Sequence, residues 1–441
     1  MRRGNLTDST RASEAPRGSA SCGFATALCT WRPFLCALGL CLLSACGPGT
    51  PEAVGGGATR AAPDRREGVE AKSRDENDAL AALEALPYLT WNERADPSVR
   101  GVTRHLPELA WDGLNLYTND VDAAYLVDMD GRRLHEWKLP AGSKHCEHVE
   151  LLAGGNLLAV CVYQWLARVS WNSDVRWLLK QSVHHDAHVM DDGTAIVPFG
   201  AGAREYRGRR VTFDGLLWVS PDGEIRKRWS SFDALDELRR HHPASRLDEA
   251  AAAADPERRF DYYHLNSVQA LPETPLGAAD RRFRAGNLLL CLRNVDTILI
   301  LDQDTMAVTW SWGGGELEFP HMPRMLPNGN ILVFDNGVKR RFSRVLELDP
   351  ARERIVWSYP ADPAGEFFSA WRGSAQRLPN GNTLICESET GRALEVTSEG
   401  RIVWEFWNPD LRDGKRRRMY RFLRLERETV VRLLLRGRAA G

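Results

Sequence analysis

Polar residues able to do chemistry recur at one position of a repeated segment of this chain. Eight residues before the turn glycines Gly155, Gly193, Gly329 and Gly381 stand Glu147, His185, His321 and Gly373. A fifth segment has an interrupted turn and aligns on Leu271-Pro272 instead. It puts Asn266 at the same point, with His264 two residues earlier and so on the same strand face. Arg293 closes the strand that follows His264, Arg324 lies three residues past His321, and His184 and His188 flank His185. The whole chain has 11 histidines, and this register gathers His185, His264 and His321 around one point.

Three chemistries are open to such a group. The histidines could hold one metal ion, although Glu147 is the only carboxylate in register and no cysteine joins it. They could satisfy backbone groups at strand ends. Or one could act as a covalent nucleophile on an anion, with the others and an arginine fork stabilising charge on a tetrahedral group. Asn266, Arg324 and Tyr263 are candidate substrate contacts, and Tyr262, Phe319, Phe367 and Trp371 are further aromatic side chains that either meet a ring or fill a core. A catalyst requires one of these histidines; a binding scaffold does not.

The elements that must position these residues are repeats. One unit reads as an apolar strand ending in a turn such as LPNGN, a second apolar strand, a third, and a fourth that carries Trp. RMLPNGNILVFDNG (324–337) and QRLPNGNTLICES (376–388) are clear copies. Asn-Gly between apolar runs is a hairpin signal because both turn positions favour positive φ. The closing Trp occurs six times, at Trp137, Trp177, Trp229, Trp310, Trp357 and Trp404, at spacings of 40, 52, 81, 47 and 47. Units of 40–50 residues with four short strands predict an all-β, six-bladed β-propeller. The long interval holds an expected helical insertion between blades 3 and 4, about 232–259, which either overhangs one mouth as a lid or is a surface excursion. The segment from Met419 to Leu425 is expected to meet the region around Gly113 to Tyr125 and close the ring. The basic run Lys415 to Arg418 is expected to be a solvated loop.

The remaining composition narrows the setting. Lys+Arg number 58 against 59 Asp+Glu in 441 residues, so no nucleic-acid partner is expected. Five of nine cysteines lie within the first 46 residues. Of the others, Cys161, Cys291 and Cys386 sit in apolar runs and no metal-type Cys spacing occurs, so the body is expected to lack disulfides and metal clusters. Phe34 to Leu43 is a ten-residue apolar run after Arg32, too short to span a bilayer. It leads into Leu43-Ser44-Ala45-Cys46, which resembles the bacterial lipobox. Residues 1–46 are therefore expected to be a lipoprotein signal peptide with lipidation at Cys46, and 47–78 a flexible linker before the propeller domain, 79–441. The chain is expected to be exported and lipid-anchored on the periplasmic side of a bacterial membrane, with Gly47 favouring the outer one.

On HHDAHVMDDG, HLNSVQALPE, FPHMPRMLPNGNILVFDNG and AQRLPNGNTLICES the sequence resembles the bacterial arylsulfotransferase family, from about Leu80 to Trp407. The resemblance implies nucleotide-independent sulfuryl transfer from an aryl sulfate to a phenol through a sulfohistidine. His321 then matches the nucleophile, His185 and His264 the supporting histidines, and Arg293 the supporting arginine. The expected partners are small aryl sulfates and phenols, with no cofactor. The chain carries no P-loop and no GxGxxG, and it departs from well-studied relatives in placing Met322-Pro323 directly after His321. A non-catalytic propeller lipoprotein that binds a ligand or protein, and a metal-dependent hydrolase on the same histidines, are the alternatives.

Overall fold

A computed structural model describes residues 91–92, 95–242, 260–359, 367–412 and 414–436. The expected signal peptide, Cys46, the linker and the start of the propeller domain lie outside the described residues. So does the 243–259 part of the expected helical insertion; the one-turn helix Leu235–Leu238 is described just before it.

Six four-stranded antiparallel blades form a ring, a β-propeller. Blades 2 to 6 take their strands consecutively, with inner strands Cys146–Leu151, His188–Val189, Leu265–Ala270, His321–Met325 and Ser374–Arg377. Blade 1 is composite. Its outer three strands are Leu114–Thr118, Ala123–Val127 and Arg133–Lys138, and its inner strand is Phe422–Leu425 from the other end of the described chain. That pairing, Phe422 opposite Tyr117 and Leu425 opposite Leu114, closes the ring as the sequence predicts. Gly101–His105 adds a fifth strand outside blade 6.

Among the described residues there is no single core but six apolar clusters, one at each blade-to-blade interface. Strand alternation explains the division: in Leu288–Leu292 of blade 4, Leu288, Leu290 and Leu292 pack towards blade 3, while Leu289 and Cys291 pack towards blade 5. The second strands are therefore buried on both faces, which is why they read as unbroken apolar runs such as ILVFD and TLICE. Each fully buried aliphatic side chain contributes about 1.5–3 kcal/mol. The recurrent Trp latches neighbouring blades. Its Nε1–H donates to a turn carbonyl of the next blade at Trp137 to Gly155, Trp177 to Pro221, Trp357 to Ser398 and, across the ring closure, Trp404 to Met129. A final helix, Arg427–Arg436, rests Val430 and Leu434 on the interface of blades 1 and 2.

Two expectations are corrected. The body is not free of disulfides, because Cys146 and Cys161 are bonded. They are direct partners across the first two strands of blade 2, so the ladder itself sets the thiols side by side. The apolar run around Cys161 hid this; Cys291 and Cys386, in similar runs, are buried free thiols. The basic run is not a solvated loop either. Arg416 and Arg418 are buried, with Arg416 donating to Asn408, Asp96 and Val99 carbonyls and Arg418 facing the Asp120 carboxylate at 3.8 Å.

Candidate active site

Side chains from all six blades meet where the inner strands begin. Glu147 of blade 2 holds His185 of blade 3; His185 lies 4.7 Å, ring to ring, from His264 of blade 4. Arg372 of blade 6 reaches Glu147, and Asp186 joins Arg324 of blade 5 to Arg421 at the head of the closing strand of blade 1. The turns between second and third strands open on the same end and bring Arg293, Asn336 and Glu389.

Local distortions aim these residues. The ladder slips once near the start of three inner strands, between Cys146 and His148, between Leu265 and Ser267, and between His321 and Arg324. Such bulges bend a strand and redirect its side chains. His185 and His264 take left-handed backbone, φ 62 and 52, a conformation that costs of order 1–3 kcal/mol and persists only where surroundings enforce it. Asp214 supplies part of that enforcement: one oxygen accepts Leu265 N–H, right after His264, and the other faces His184 Nε2 at 3.2 Å.

Hydrogen bonds fix the tautomers. His321 Nδ1 lies 2.7 Å from Asn336 Oδ1 and 3.1 Å from the Phe319 carbonyl. The Asn336 amide nitrogen donates to the Ser369 and Arg372 carbonyls, so its oxygen must face the histidine. His321 therefore carries its proton on Nδ1 and keeps a lone pair on Nε2. His185 Nδ1–H donates to Glu147 (2.7 Å) and His264 Nδ1–H to Asp261 (2.6 Å), which leaves their Nε2 atoms uncommitted as well. His185 Nε2 is buried without a protein partner.

Electrostatics keep the trio neutral near pH 7. Burial, then the Arg293 guanidinium, hold His321 well below the ordinary histidine value, against the opposing Asn336 bond. The same two causes act on His264. Burial lowers His185 too, but there Glu147 pulls the other way. Burial opposes ionisation of Glu147 itself, and His185 with Arg372 overcomes it, so its carboxyl stays below the usual range.

Of the residues singled out by sequence, His185, His264, His321 and Arg293 come together. Arg293 follows the second strand of blade 4, its N–H donating to the His264 carbonyl, and its guanidinium faces the Phe319 and Trp371 rings at 5.3 and 5.8 Å. Asn266 is buried behind the trio and donates to the Pro320 carbonyl, which fixes the backbone leading into His321. Arg324 is engaged in the ion pair with Asp186. Tyr263 is buried in the interface of blades 3 and 4, with its hydroxyl 3.3 Å from His242. Sequence reasoning missed Asp261, Asn336, Arg372, Tyr420 and Arg421. The acid three residues before His264 and the FDNG string after LPNGN were the available signals for the first two. Among the described residues no group of three or more His, Cys, Asp or Glu is arranged to hold a metal ion.

Comparison with known proteins gives one informative result. The sequence model of the arylsulfotransferase (ASST) family matches residues 165–409, which hold the whole histidine trio and Arg293. No curated protein sequence matches. Similar solved structures include a protein of unknown function from Bacteroides caccae (16% identity, TM-score 0.45, covering 67% of this chain and 93% of that one). Others are a virginiamycin B lyase from Staphylococcus aureus (8%, 0.41, 70% and 88%) and the Myceliophteria thermophila Cps50 (Swd1) β-propeller domain (11%, 0.41, 70% and 86%).

Proposed function

The chain belongs to the arylsulfotransferase family, and from that membership we propose that it passes a sulfuryl group from an aryl sulfate to a phenol through His321, with no nucleotide. The observation that carries this reading is the Asn336–His321 bond: a neutral amide oxygen holds the proton on Nδ1, so Nε2 meets the substrate as a free lone pair. Asn336 adds no negative charge that would favour an imidazolium, whereas His185 and His264 are each backed by a carboxylate.

In the first half-reaction Nε2 of His321 bonds to sulfur as the aryl S–O bond breaks and its electron pair leaves on the phenolate. In the second the acceptor's phenolate oxygen bonds to sulfur, the N–S bond breaks, and its pair returns to Nε2. Arg293 donates to the sulfuryl oxygens, where a preorganised cation stabilises charge through both transition states. Two half-reactions at one site give ping-pong kinetics.

The test is release of nitrophenolate from 4-nitrophenyl sulfate by the full chain with phenol present. Wild-type protein should release it in an acceptor-dependent way and yield a peptide sulfated at His321. His321→Ala, folded by circular dichroism, should do neither; undiminished release by that variant would refute the assignment. We further propose export and lipidation at Cys46. The Cys146–Cys161 disulfide supports this, since such bonds persist in oxidising compartments. Metabolic labelling with a fatty acid that is lost in Cys46→Ala tests it.

A further inference from the structure

We infer that Asp186 is a positioning residue of the site: its carboxylate, in the central channel, sets the spacing of His185, His264 and His321. This rests on the sulfuryl-transfer reading and adds to it a residue that acts only through others.

Asp186 is fully buried, and both its oxygens are committed. Oδ1 accepts from Ala187 N–H at 2.7 Å and Arg421 Nη1 at 2.6 Å. Oδ2 accepts from Val268 N–H and Arg324 Nη2, both at 2.9 Å. A carboxylate offers about four acceptor positions, so none is left for a substrate. Burial opposes ionisation of Asp186, and Arg324 with Arg421 overcomes it, holding the carboxyl far below the usual carboxylate range. Charge-assisted bonds of this kind are roughly twice as strong as neutral ones.

The four bonds run to four blades. Ala187 leads into the inner strand of blade 3, Val268 lies on that of blade 4, Arg324 on that of blade 5, and Arg421 heads that of blade 1. Arg421 also donates to His148 Nδ1 of blade 2 at 2.9 Å. Each histidine of the trio stands just before one of these ties. His185 immediately precedes Asp186, His264 precedes Val268 by four residues, and His321 precedes Arg324 by three. In blades 4 and 5 the ladder slips between the histidine and its tie. A slipped ladder lets the strand bend, and the bond to Asp186 fixes how far it does so. One buried carboxylate thus holds three imidazoles from separate blades at one mutual spacing.

The experiment mixes the full-length protein with 4-nitrophenyl sulfate and no acceptor, and follows the burst of nitrophenolate. Burst amplitude counts competent sites; the burst rate constant reports the geometry of attack on sulfur. Asp186→Asn keeps the size of the side chain and removes its charge. It should lower the rate constant about 10²-fold, the cost of misplacing reacting groups by about 1 Å. The donor concentration giving half the maximal rate should not move, and the amplitude should follow the folded fraction seen by circular dichroism. Arg324→Met, which cuts the blade 5 tie alone, should show a smaller loss of the same kind. Arg324→Lys keeps the charge without the planar fork and should recover part of that loss. Should Asp186→Asn not fold, the two Arg324 variants decide. Bursts that are smaller but as fast as wild type would show that Asp186 only stabilises the fold. A raised half-maximal concentration with an unchanged maximal rate would show that it acts on binding. Either result overturns the inference. A wild type that forms no sulfohistidine from any aryl sulfate would instead remove the transfer reading, and this inference with it.

Discussion

The proposed transfer requires an unprotonated His321, and the surroundings of this imidazole favour that state. Its folded-state pKa is depressed by burial and then by Arg293. Protonation, and with it loss of the nucleophile, begins only when pH falls below the ordinary histidine value of about 6.5. Turnover of 4-nitrophenyl sulfate should therefore stay level from about pH 8 down through 6.5 and decline only at more acid values. Removing Arg293 has two separable effects. The acid limb should move up towards 6.5, because the largest opposing charge is gone. The rate at the plateau should fall about 10²–10³-fold, the usual cost of one lost oxyanion donor. Arg293→Lys keeps the charge without the planar fork, so it should restore the limb better than the rate. An Arg293→Ala profile with an unmoved acid limb would show that the guanidinium does not set the state of His321.

At the scale of strands and turns, the site depends on residues outside its polar cluster. Gly373 occupies the register position that holds Glu147 and His321 in other blades. A Cβ there would stand 2.3–2.5 Å from three atoms of the Phe334 ring, which is fully buried. Gly373→Ala must displace either that ring or the segment whose Arg372 carbonyl accepts from Asn336. A loss of about 1–3 kcal/mol, typical of overpacking, is expected, with reduced turnover at permissive temperature. Phe334→Leu in the same chain should return part of both, as thermal melts and rates would show.

The same register explains what the sequence disclosed. Gly155, Gly193, Gly329 and Gly381 mark hairpins that fix the start of each inner strand, so counting back from them found Glu147, His185 and His321. Asp261 and Asn336 lie outside that count, in a segment before one inner strand and in a turn after a second strand. Arg421 and Tyr420 were invisible for a different reason: the inner strand of blade 1 has no hairpin to its neighbour, since it arrives from the far end of the chain. The Cys146–Cys161 bond escaped because strand pairing, and not sequence spacing, brings the two together.

At the scale of the whole ring, closure and site assembly are one event. The segment that supplies the last inner strand also carries Arg418, Tyr420 and Arg421 to the centre, where Arg421 binds the Asp186 carboxylate beside His185. Closure is held by Arg424, fully buried between blades 1 and 6. It donates to Asn115, to the Trp111 carbonyl and to Glu395, which is equally buried. Arg424→Ala would leave Glu395 with only the Asn382 amide and Trp111 N–H among its described partners. An uncompensated buried charge of this kind costs about 3–5 kcal/mol. Replacing both partners, Arg424→Met with Glu395→Leu, removes the charge and should recover much of that loss. The two variants separate closure from overall stability. If the closing strand delivers the central arginines, Arg424→Ala should lose sulfuryl transfer at temperatures where circular dichroism still reports folded blades, and the double variant should regain it. Parallel loss of activity and of blade structure in a single transition would mean that the ring opens only by unfolding.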